Sequence, residues 1–208
     1  MSGSLDGDAL IRISLELSGM LRSRLSTDRY LHTLRVARTA SLLAVPTGVD
    51  RNRAWLAGLA HDWAREWSPR ESLRFLEHHG QEVSSEERHR PVLVHGRIAA
   101  LLLRQDFGFD DPEIAEAVSH HTLGRAGMGN LARLVFVADY LEPGRKFSTP
   151  EFRHLVRRAC MPCMVRLVLE HNAKRHGDLH WMTKELYDEA GGGCATGICR
   201  EWRWHGHE

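Results

Sequence analysis

The chain has 208 residues, with 28 lysines and arginines against 27 aspartates and glutamates. A chain of this length can bury a hydrophobic core without disulfides or a structural metal, and its balanced charge excludes the polyelectrolyte character of proteins that bind DNA, RNA or membrane surfaces. The apolar runs are shorter than the roughly 20 residues that span a bilayer, and the first residues lack the pattern of a secretion signal. We therefore expect a cytoplasmic protein that binds neither nucleic acid nor membranes.

Apolar residues recur at intervals of three and four along most of the chain, and sustained alternation of apolar and polar residues is absent. This periodicity predicts an all-α protein. A capping residue followed by proline marks three helix starts, at Ser68-Pro69, Asp111-Pro112 and Thr149-Pro150. The predicted helices cover residues 8–23, 28–44, 51–65, 69–79, 91–105, 112–121, 130–141, 150–173 and 181–190.

No internal repeat or linker divides the chain. We expect a helical extension over residues 1–27, one helical domain over 28–190 and a flexible glycine-rich tail over 191–208.

The cysteines form two pairs, and the spacing of the first pair is acceptable for zinc. A fold of this size does not need that metal, so we interpret all of them as reduced thiols: Cys160, Cys163, Cys194 and Cys199.

The sharpest functional signal is the pair His61 and Asp62, which lies inside an apolar stretch over residues 55–64. An ionised carboxylate cannot be buried there without a partner, and a buried imidazole needs a hydrogen bond or a ligand. Asp139 is a second isolated carboxylate, and the apolar residues 131–138 before it predict that it is buried as well. A bound cation explains why these side chains stand in apolar surroundings.

Further imidazoles are available to complete a metal site, namely His32, His95 and His121. Each lies beside apolar residues in a different predicted helix or at a helix end, and helices packed around one core can direct ligands into a shared cavity. Nitrogen and carboxylate donors without thiolate favour iron, manganese or zinc over calcium or magnesium alone. The histidines in polar surroundings are interpreted as surface residues: His78, His79, His89, His154, His176, His205 and His207.

The order of these histidines and aspartates resembles the HD-domain metal-dependent phosphohydrolases. Over about residues 28–190 the chain is similar to the bacterial HD-domain symmetrical bis(5'-nucleosyl)-tetraphosphatases, and the string Ala138-Asp-Tyr-Leu-Glu-Pro-Gly-Arg145 is far more specific than a His-Asp pair. The resemblance implies a helical HD bundle with a metal site in its core cavity. It implies cleavage of diadenosine tetraphosphate to two ADP molecules, with iron as the expected cofactor and manganese, zinc or magnesium as alternatives.

Carried over by position, the resemblance implies that the main metal ion is held by His32, His61, Asp62 and Asp139. It implies that His95 and His121 bind a second ion or the phosphate oxygens, so we expect one or two ions. Two positions depart from the family. Arg65 stands where lysine is usual, and a guanidinium is a poor proton donor. His180 is followed by tryptophan where the family has proline.

Hydrolysis of a phosphoanhydride requires an activated water molecule and neutralised phosphoryl oxygens. Arg125 and Arg145 each follow a glycine, where backbone amides can approach a ligand closely, so both are candidates to bind polyphosphate. His120 either donates to a phosphate or caps its helix. The predicted catalytic residues are Asp62, Arg65, His95 and His121, and the predicted substrate-binding residues are His95, His120, His121, Arg125 and Arg145.

For other side chains near these positions, the sequence leaves two alternative roles open. Arg35 is one helical turn from His32 and either reaches the phosphates or forms an ordinary salt bridge. Glu142 either orients a metal ligand or binds a ribose. The aromatic residues near the site are able to stack on adenine, but we expect core packing to be their main role. These residues are Trp63, Tyr140 and Phe147.

Two alternatives to this function stay open at the level of sequence. The first is an HD-type hydrolase that acts on a nucleoside monophosphate, a deoxynucleoside triphosphate or an alarmone. The second is a nucleotide-binding regulatory domain without turnover, although degenerate copies of that kind tend to lose ligands and all six are present here. The expected partner is a small nucleotide substrate, and a homodimer is compatible with the sequence.

Overall fold

A computed structural model describes residues 7–177 and 179–191, and within these ranges the regular elements are all helical. This confirms the all-α prediction. The predicted tail beyond Gly191, with Cys194 and Cys199, lies outside the described residues. The helices are α1 (Gly7–Arg24), α2 (Thr27–Thr47), α3 (Arg51–Ala60), α4 (Pro69–His78), α5 (Ser85–His89), a 3₁₀ helix (Pro91–Val94), α6 (His95–Phe107), α7 (Pro112–His120), α8 (Asn130–Leu141), α9 (Pro150–Arg157), α10 (Met161–His176) and α11 (Trp181–Gly191).

One hydrophobic core connects the helices. The central layer is formed by α2, α3, α7 and α8, which pack against one another, and α6 packs on α7. Leu56 and Leu59 of α3 are fully buried, and each such leucine contributes about 1.5–3 kcal/mol. Leu17 and Leu21 bury one face of α1 in the same core. The predicted divisions of the chain near residues 28 and 190 stay predictions.

Two glycines allow the helices that carry the candidate ligands to approach closely. A Cβ atom at Gly58 in α3 would lie 2.8 Å from the Cα of Ala37 in α2. A Cβ atom at Gly96 in α6 would lie 2.5 Å from the carbonyl oxygen of Val118 in α7. Contacts of that length do not occur between real atoms, so only glycine permits this spacing of the backbones.

The predicted helix over residues 51–65 ends earlier in the structure, at Ala60. The chain then continues in tight turns, in which the Trp63 amide donates to the Ala60 carbonyl at 3.0 Å and the Arg65 amide donates to the Asp62 carbonyl at 3.0 Å. The tighter winding changes the direction of the side chains that follow. His61 and Asp62 therefore lie at the end of α3 and not within it.

The predicted helix over residues 150–173 is divided in the structure into α9 and α10. Proline is tolerated in the first turn of a helix but not in its interior, and Pro162 lies in the first turn of α10. The short helix α5 was not predicted, and it begins with a capping box between Ser84 and Glu87. Among the described helices, none has the length and apolar character needed to cross a bilayer.

Candidate metal centre

The first group of candidate ligands joins α2, the end of α3 and α8. The Nε2 atom of His32 lies 3.1 Å from Oδ1 of Asp139 and 3.4 Å from Oδ2 of Asp62. The Nε2 atom of His61 lies 3.4 Å from the same Oδ2 of Asp62 and 3.9 Å from Asp139. His32, His61 and Asp62 are buried, whereas the Asp139 side chain keeps 19% of its surface exposed. The structure thus brings together residues that are far apart in the sequence.

A second group uses the other oxygen of Asp62. The Oδ1 atom of Asp62 lies 3.0 Å from Nε2 of His95 and 3.7 Å from Nε2 of His121. His95 begins α6 and His121 follows α7, and both are buried. The ligand atoms of His32, His61 and Asp62 lie within 4.8 Å of one another, and so do those of Asp62, His95 and His121. Asp62 is therefore positioned to bridge the two groups.

Backbone carbonyl groups fix the rings of three of these histidines. Nδ1–H of His61 donates to the Gly58 carbonyl at 2.7 Å, and Nδ1–H of His121 donates to the Val118 carbonyl at 2.7 Å. His95 donates in the same way to the carbonyl of Val92. A carbonyl oxygen only accepts, so the proton must sit on Nδ1 and the Nε2 lone pair faces the site.

His32 is held by a carboxylate instead of a carbonyl. Its Nδ1 atom donates to Oε1 of Glu142 at 3.1 Å, and Glu142 is almost completely buried. The backbone amide of Gly144 donates to the other oxygen of Glu142 at 2.6 Å. A Cβ atom at Gly144 would overlap the guanidinium of Arg35, which also binds Glu142. A larger residue at position 144 would therefore displace the Arg35 guanidinium, which is the end of a flexible side chain.

Three arginines compensate the carboxylates of the first group. The sequence predicts phosphate binding for Arg145, either phosphate binding or a salt bridge for Arg35, and no role for Arg29. Arg29 precedes His32 by three residues on one face of α2, which is the sequence signal that could have found it. The contacts are 2.7 Å from Arg29 Nη1 to Asp62 Oδ2, 2.6 Å from Arg35 Nε to Glu142 Oε2 and 2.6 Å from Arg145 Nη2 to Asp139 Oδ1.

The carboxylates give the two groups different electrostatics. Burial disfavours the charged form of His32, but hydrogen bonds to Asp139, Asp62 and Glu142 outweigh it and raise the pKa of His32 to about 10. Burial also opposes ionisation of Asp139, yet the hydrogen bond from His32 and nearby positive charge hold the pKa of that carboxyl well below its usual range. Burial lowers the pKa of His95. The carboxylates of the first group therefore favour a positive charge at this position.

The donor chemistry fits a bound cation. The Nε2 atoms of His32 and His61 lie 3.2 Å apart, and those of His95 and His121 lie 2.9 Å apart. Two lone pairs repel at these distances unless a proton or a metal ion lies between them. Imidazole nitrogen together with carboxylate oxygen suits a divalent transition metal. The six residues are therefore able to hold a metal ion in either group.

The other predicted site residues differ in whether they contact this centre. Arg145 contacts it through Asp139, as described above. Arg65 is half-buried, and among the described residues its side chain forms no hydrogen bond or ion pair. Arg125 pairs with Glu116 and not with the six ligands. His120 is half-buried, and burial lowers its pKa. The roles predicted for these residues stay predictions.

Comparison with known proteins agrees with this geometry. The family model described as "HD domain" matches residues 29–144, which contain all six candidate ligands. The chain belongs to the HD-domain family. This confirms the family and the helical HD fold that the sequence predicted.

Two relatives of this HD domain carry the same name, "Bis(5'-nucleosyl)-tetraphosphatase, symmetrical". The Bacillus subtilis protein is 34% identical over 132 residues, which cover 64% of this chain and 70% of that protein. The Staphylococcus aureus protein is 32% identical over 128 residues, which cover 61% of this chain and 64% of that protein.

One solved structure is similar to most of this chain. It is a crystal structure of a "predicted HD superfamily hydrolase involved in NAD metabolism" from Clostridium acetobutylicum. The TM-score is 0.77 with 27% identity, and the match covers 90% of this chain and 98% of that chain. The fold of the helices after residue 144 is thus shared with a known HD protein.

Proposed function

We propose that this chain is a metal-dependent phosphohydrolase that cleaves diadenosine tetraphosphate symmetrically into two ADP molecules. The relatives named above support the reaction, and the HD-domain family supports hydrolysis of a phosphoanhydride. The observation that carries the proposal is the position of Asp62, whose two carboxylate oxygens face two separate sets of imidazole nitrogens. The substrate is accordingly a small nucleotide. A homodimer and the absence of nucleic-acid binding stay predictions.

The residues that would hold the metal fall into the two groups already described. The first metal position would be formed by Asp62 together with His32, His61 and Asp139. The second metal position would be formed by Asp62 together with His95 and His121. We infer two ions, with iron as the favoured metal and manganese, zinc or magnesium as alternatives. When bound, a divalent ion supplies Lewis acidity, which activates water and neutralises phosphoryl oxygens.

The chain's own residues supply binding and orientation. Glu142 fixes the ring of His32, and backbone carbonyls fix the other three rings, so little reorganisation is needed when substrate arrives. Arg145 keeps 34% of its side chain exposed, and its guanidinium has donors beyond the two that bind the carboxylate and the backbone carbonyl of Asp139. It is placed to bind a phosphoryl oxygen beside the first group. Arg65 contributes charge and no proton, because a guanidinium stays protonated.

The experiment is product analysis after metal loading. The protein is loaded anaerobically with Fe²⁺, or with Mn²⁺, Zn²⁺ or Mg²⁺, and incubated with diadenosine tetraphosphate, a deoxynucleoside triphosphate, a nucleoside monophosphate and pppGpp in separate reactions. Chromatography should show ADP as the one product from diadenosine tetraphosphate. Formation of ATP with AMP, or faster turnover of one of the other nucleotides, would overturn the proposal.

A matched pair of histidine variants ties the activity to the centre. His61→Ala should lose both metal and hydrolysis while the helical circular dichroism signal is retained. His79→Ala is the control, because the Nδ1 atom of His79 also donates to a backbone carbonyl, at 2.8 Å, but the ring lies outside both groups. If His61→Ala hydrolyses substrate at the parent rate, the site assignment is wrong.

A further inference from the structure

A second recessed surface lies outside the metal centre, between α9 and α10. It is a cleft of about 750 Å³, and Pro150, Phe152, Leu155 and His171 are among the residues that line it. Clefts that bind small organic ligands have volumes of roughly 300–1,000 Å³ and are mostly apolar. The cleft follows the segment matched by the HD model, which ends at residue 144. None of the roles assigned above uses it.

The cleft contains a stacked pair of rings that is already oriented. Phe152 and His171 stack with centroids 4.2 Å apart and planes 22° apart. The hydroxyl of Tyr140 is hydrogen-bonded to Nδ1 of His171 at 2.8 Å, which fixes the plane of the imidazole. Burial lowers the pKa of His171, so the ring is neutral near pH 7. Phe152 and His171 are only half-buried, and rings of this kind are platforms on which nucleobases stack.

Basic side chains connect this cleft with the metal centre. Tyr140 follows Asp139 in α8, and its ring packs on Phe147 with centroids 4.9 Å apart. The guanidinium of Arg175 lies 3.6 Å from the centroid of Phe147, and that of Arg145 lies 6.0 Å from it. Arg145 in turn binds Asp139. Two guanidinium groups, which attract phosphate, thus lie at Phe147. Phe147 packs on Tyr140, and Tyr140 contacts His171 of the cleft.

We propose that the cleft between α9 and α10 binds one of the two nucleosides of the dinucleotide, with its base stacked on the outer face of the Phe152–His171 pair and its phosphates beside Arg145 and Arg175. This inference rests on the proposed function, because it needs a substrate with an aromatic base at the end of a polyphosphate. An apolar peptide would use the cleft but not the two arginines, so charge favours the nucleotide. Tyr140 and Phe147 then support the base platform and do not only pack the core.

The test compares the binding of ADP with that of pyrophosphate to the metal-loaded protein by calorimetry. Base stacking contributes about 1–3 kcal/mol, which corresponds to roughly a 5-fold to 150-fold change in affinity. Phe152→Leu should therefore weaken ADP binding by roughly 5-fold or more and leave pyrophosphate binding unchanged. Phe152→Trp, which keeps an aromatic face, should retain ADP affinity. For diadenosine tetraphosphate, Phe152→Leu should raise KM with little change in kcat.

The matched control is Phe75→Leu in α4. Phe75 stacks on His79 with centroids 4.1 Å apart and planes 30° apart, so it copies the Phe152–His171 pair at another place on the molecule. This control should bind ADP and pyrophosphate like the parent, and circular dichroism melting should show that both leucine variants are folded.

Three results would overturn the inference. They are no binding of ADP by the parent, parental ADP affinity in Phe152→Leu, or equal weakening of ADP and pyrophosphate, which would indicate a general change at the metal centre. Symmetric hydrolysis of diadenosine tetraphosphate together with any of these results would leave the proposed function standing. If hydrolysis is absent but Phe152→Leu weakens ADP selectively, the nucleoside cleft stands and the proposed reaction fails.

Discussion

The two ligand groups share Asp62 but differ in what surrounds them. The first contains Asp139 and is supported by Glu142, so that three carboxylates lie around His32. The second contains only imidazoles apart from the shared aspartate. The pKa of His32 is raised to about 10 by its carboxylate neighbours, although burial opposes this, whereas burial lowers the pKa of His95. The same residue type is thus tuned in opposite directions on the two sides of one aspartate.

This difference predicts unequal affinity for a metal ion. A cation on the first side satisfies a strongly negative environment, and Arg29, Arg35 and Arg145 already compensate part of that charge. A cation on the second side meets two neutral imidazoles and one oxygen of Asp62. We therefore expect the first group to bind the tighter ion. The more weakly bound ion is expected beside His95 and His121. There the substrate phosphates compete with the protein's ligands for that ion.

The largest effect is expected when the shared residue is changed. In Asp62→Asn the carboxamide has only one oxygen, so one of the two groups faces an NH₂ donor that cannot coordinate a cation. The activity should fall by well over roughly 100-fold, which is the upper range for residues that only orient ligands. The other group keeps an oxygen, but that oxygen is uncharged, so metal analysis should show a loss from both groups while circular dichroism stays helical. Parental metal content with parental activity would contradict the bridging role.

The next test separates the two groups. Asp139→Asn should weaken the tighter binding step, because it removes a carboxylate from the first group alone. His95→Ala should leave that step in place and remove the weaker one. Titration of the metal-free variants with Mn²⁺, followed by elemental analysis at each free concentration, measures both steps. If the two variants lose the same binding step, the division into unequal groups is wrong.

A smaller effect is expected from the residue that orients His32. Glu142→Gln keeps an acceptor near Nδ1 but removes the negative charge, so metal affinity at the first group should fall by roughly 10–100-fold. Glu116→Gln is the control, since Glu116 also pairs with an arginine, Arg125, but belongs to neither group. Equal losses of metal affinity in the two variants would show that the effect is a general loss of charge.

Local rules were sufficient for most of the fold. Ser68, Asp111 and Thr149 cap helices as predicted, because each accepts a hydrogen bond from an amide two or three residues later in the chain. The break between α9 and α10 was missed because the apolar period continues across it, and Pro162 was not used as a signal. The early end of α3 was missed for a related reason. A change from α-helix to tight turns leaves no mark on an apolar segment.

The six candidate ligands could be found in the sequence because a buried ionisable group needs a partner. The residues around them could not be assigned so well, since their partners are distant in the chain. Arg29 contacts Asp62, which follows it by 33 positions, and Arg35 contacts Glu142, which follows it by 107 positions. Arg125 was selected for its neighbouring glycine, yet the structure pairs it with Glu116. Neighbours in sequence do not report the direction of a side chain.

The smallest expected effects come from the two glycines that bring the ligand helices together. Gly96→Ala places a Cβ atom 2.5 Å from the backbone carbonyl of Val118, so α6 and α7 must separate and the His95–His121 distance must increase. Overpacking of this kind costs about 1–3 kcal/mol, and a chain of this size loses about 2–4 °C in Tm per kcal/mol. The weaker metal-binding step should decline further, with the tighter step unchanged.

Gly58→Ala should weaken the tighter metal-binding step and leave the weaker step unchanged. Its Cβ atom would lie 2.8 Å from the Cα of Ala37 and would separate α2 from α3. The control is Gly19→Ala in α1, where a Cβ atom meets no atom within 4 Å. That change should raise the free energy of unfolding by about 0.5–1 kcal/mol, because alanine loses less backbone entropy than glycine in a helix. If Gly96→Ala and Gly58→Ala weaken the same metal-binding step, helix spacing does not set the two groups independently, and the rigid connection through Asp62 dominates.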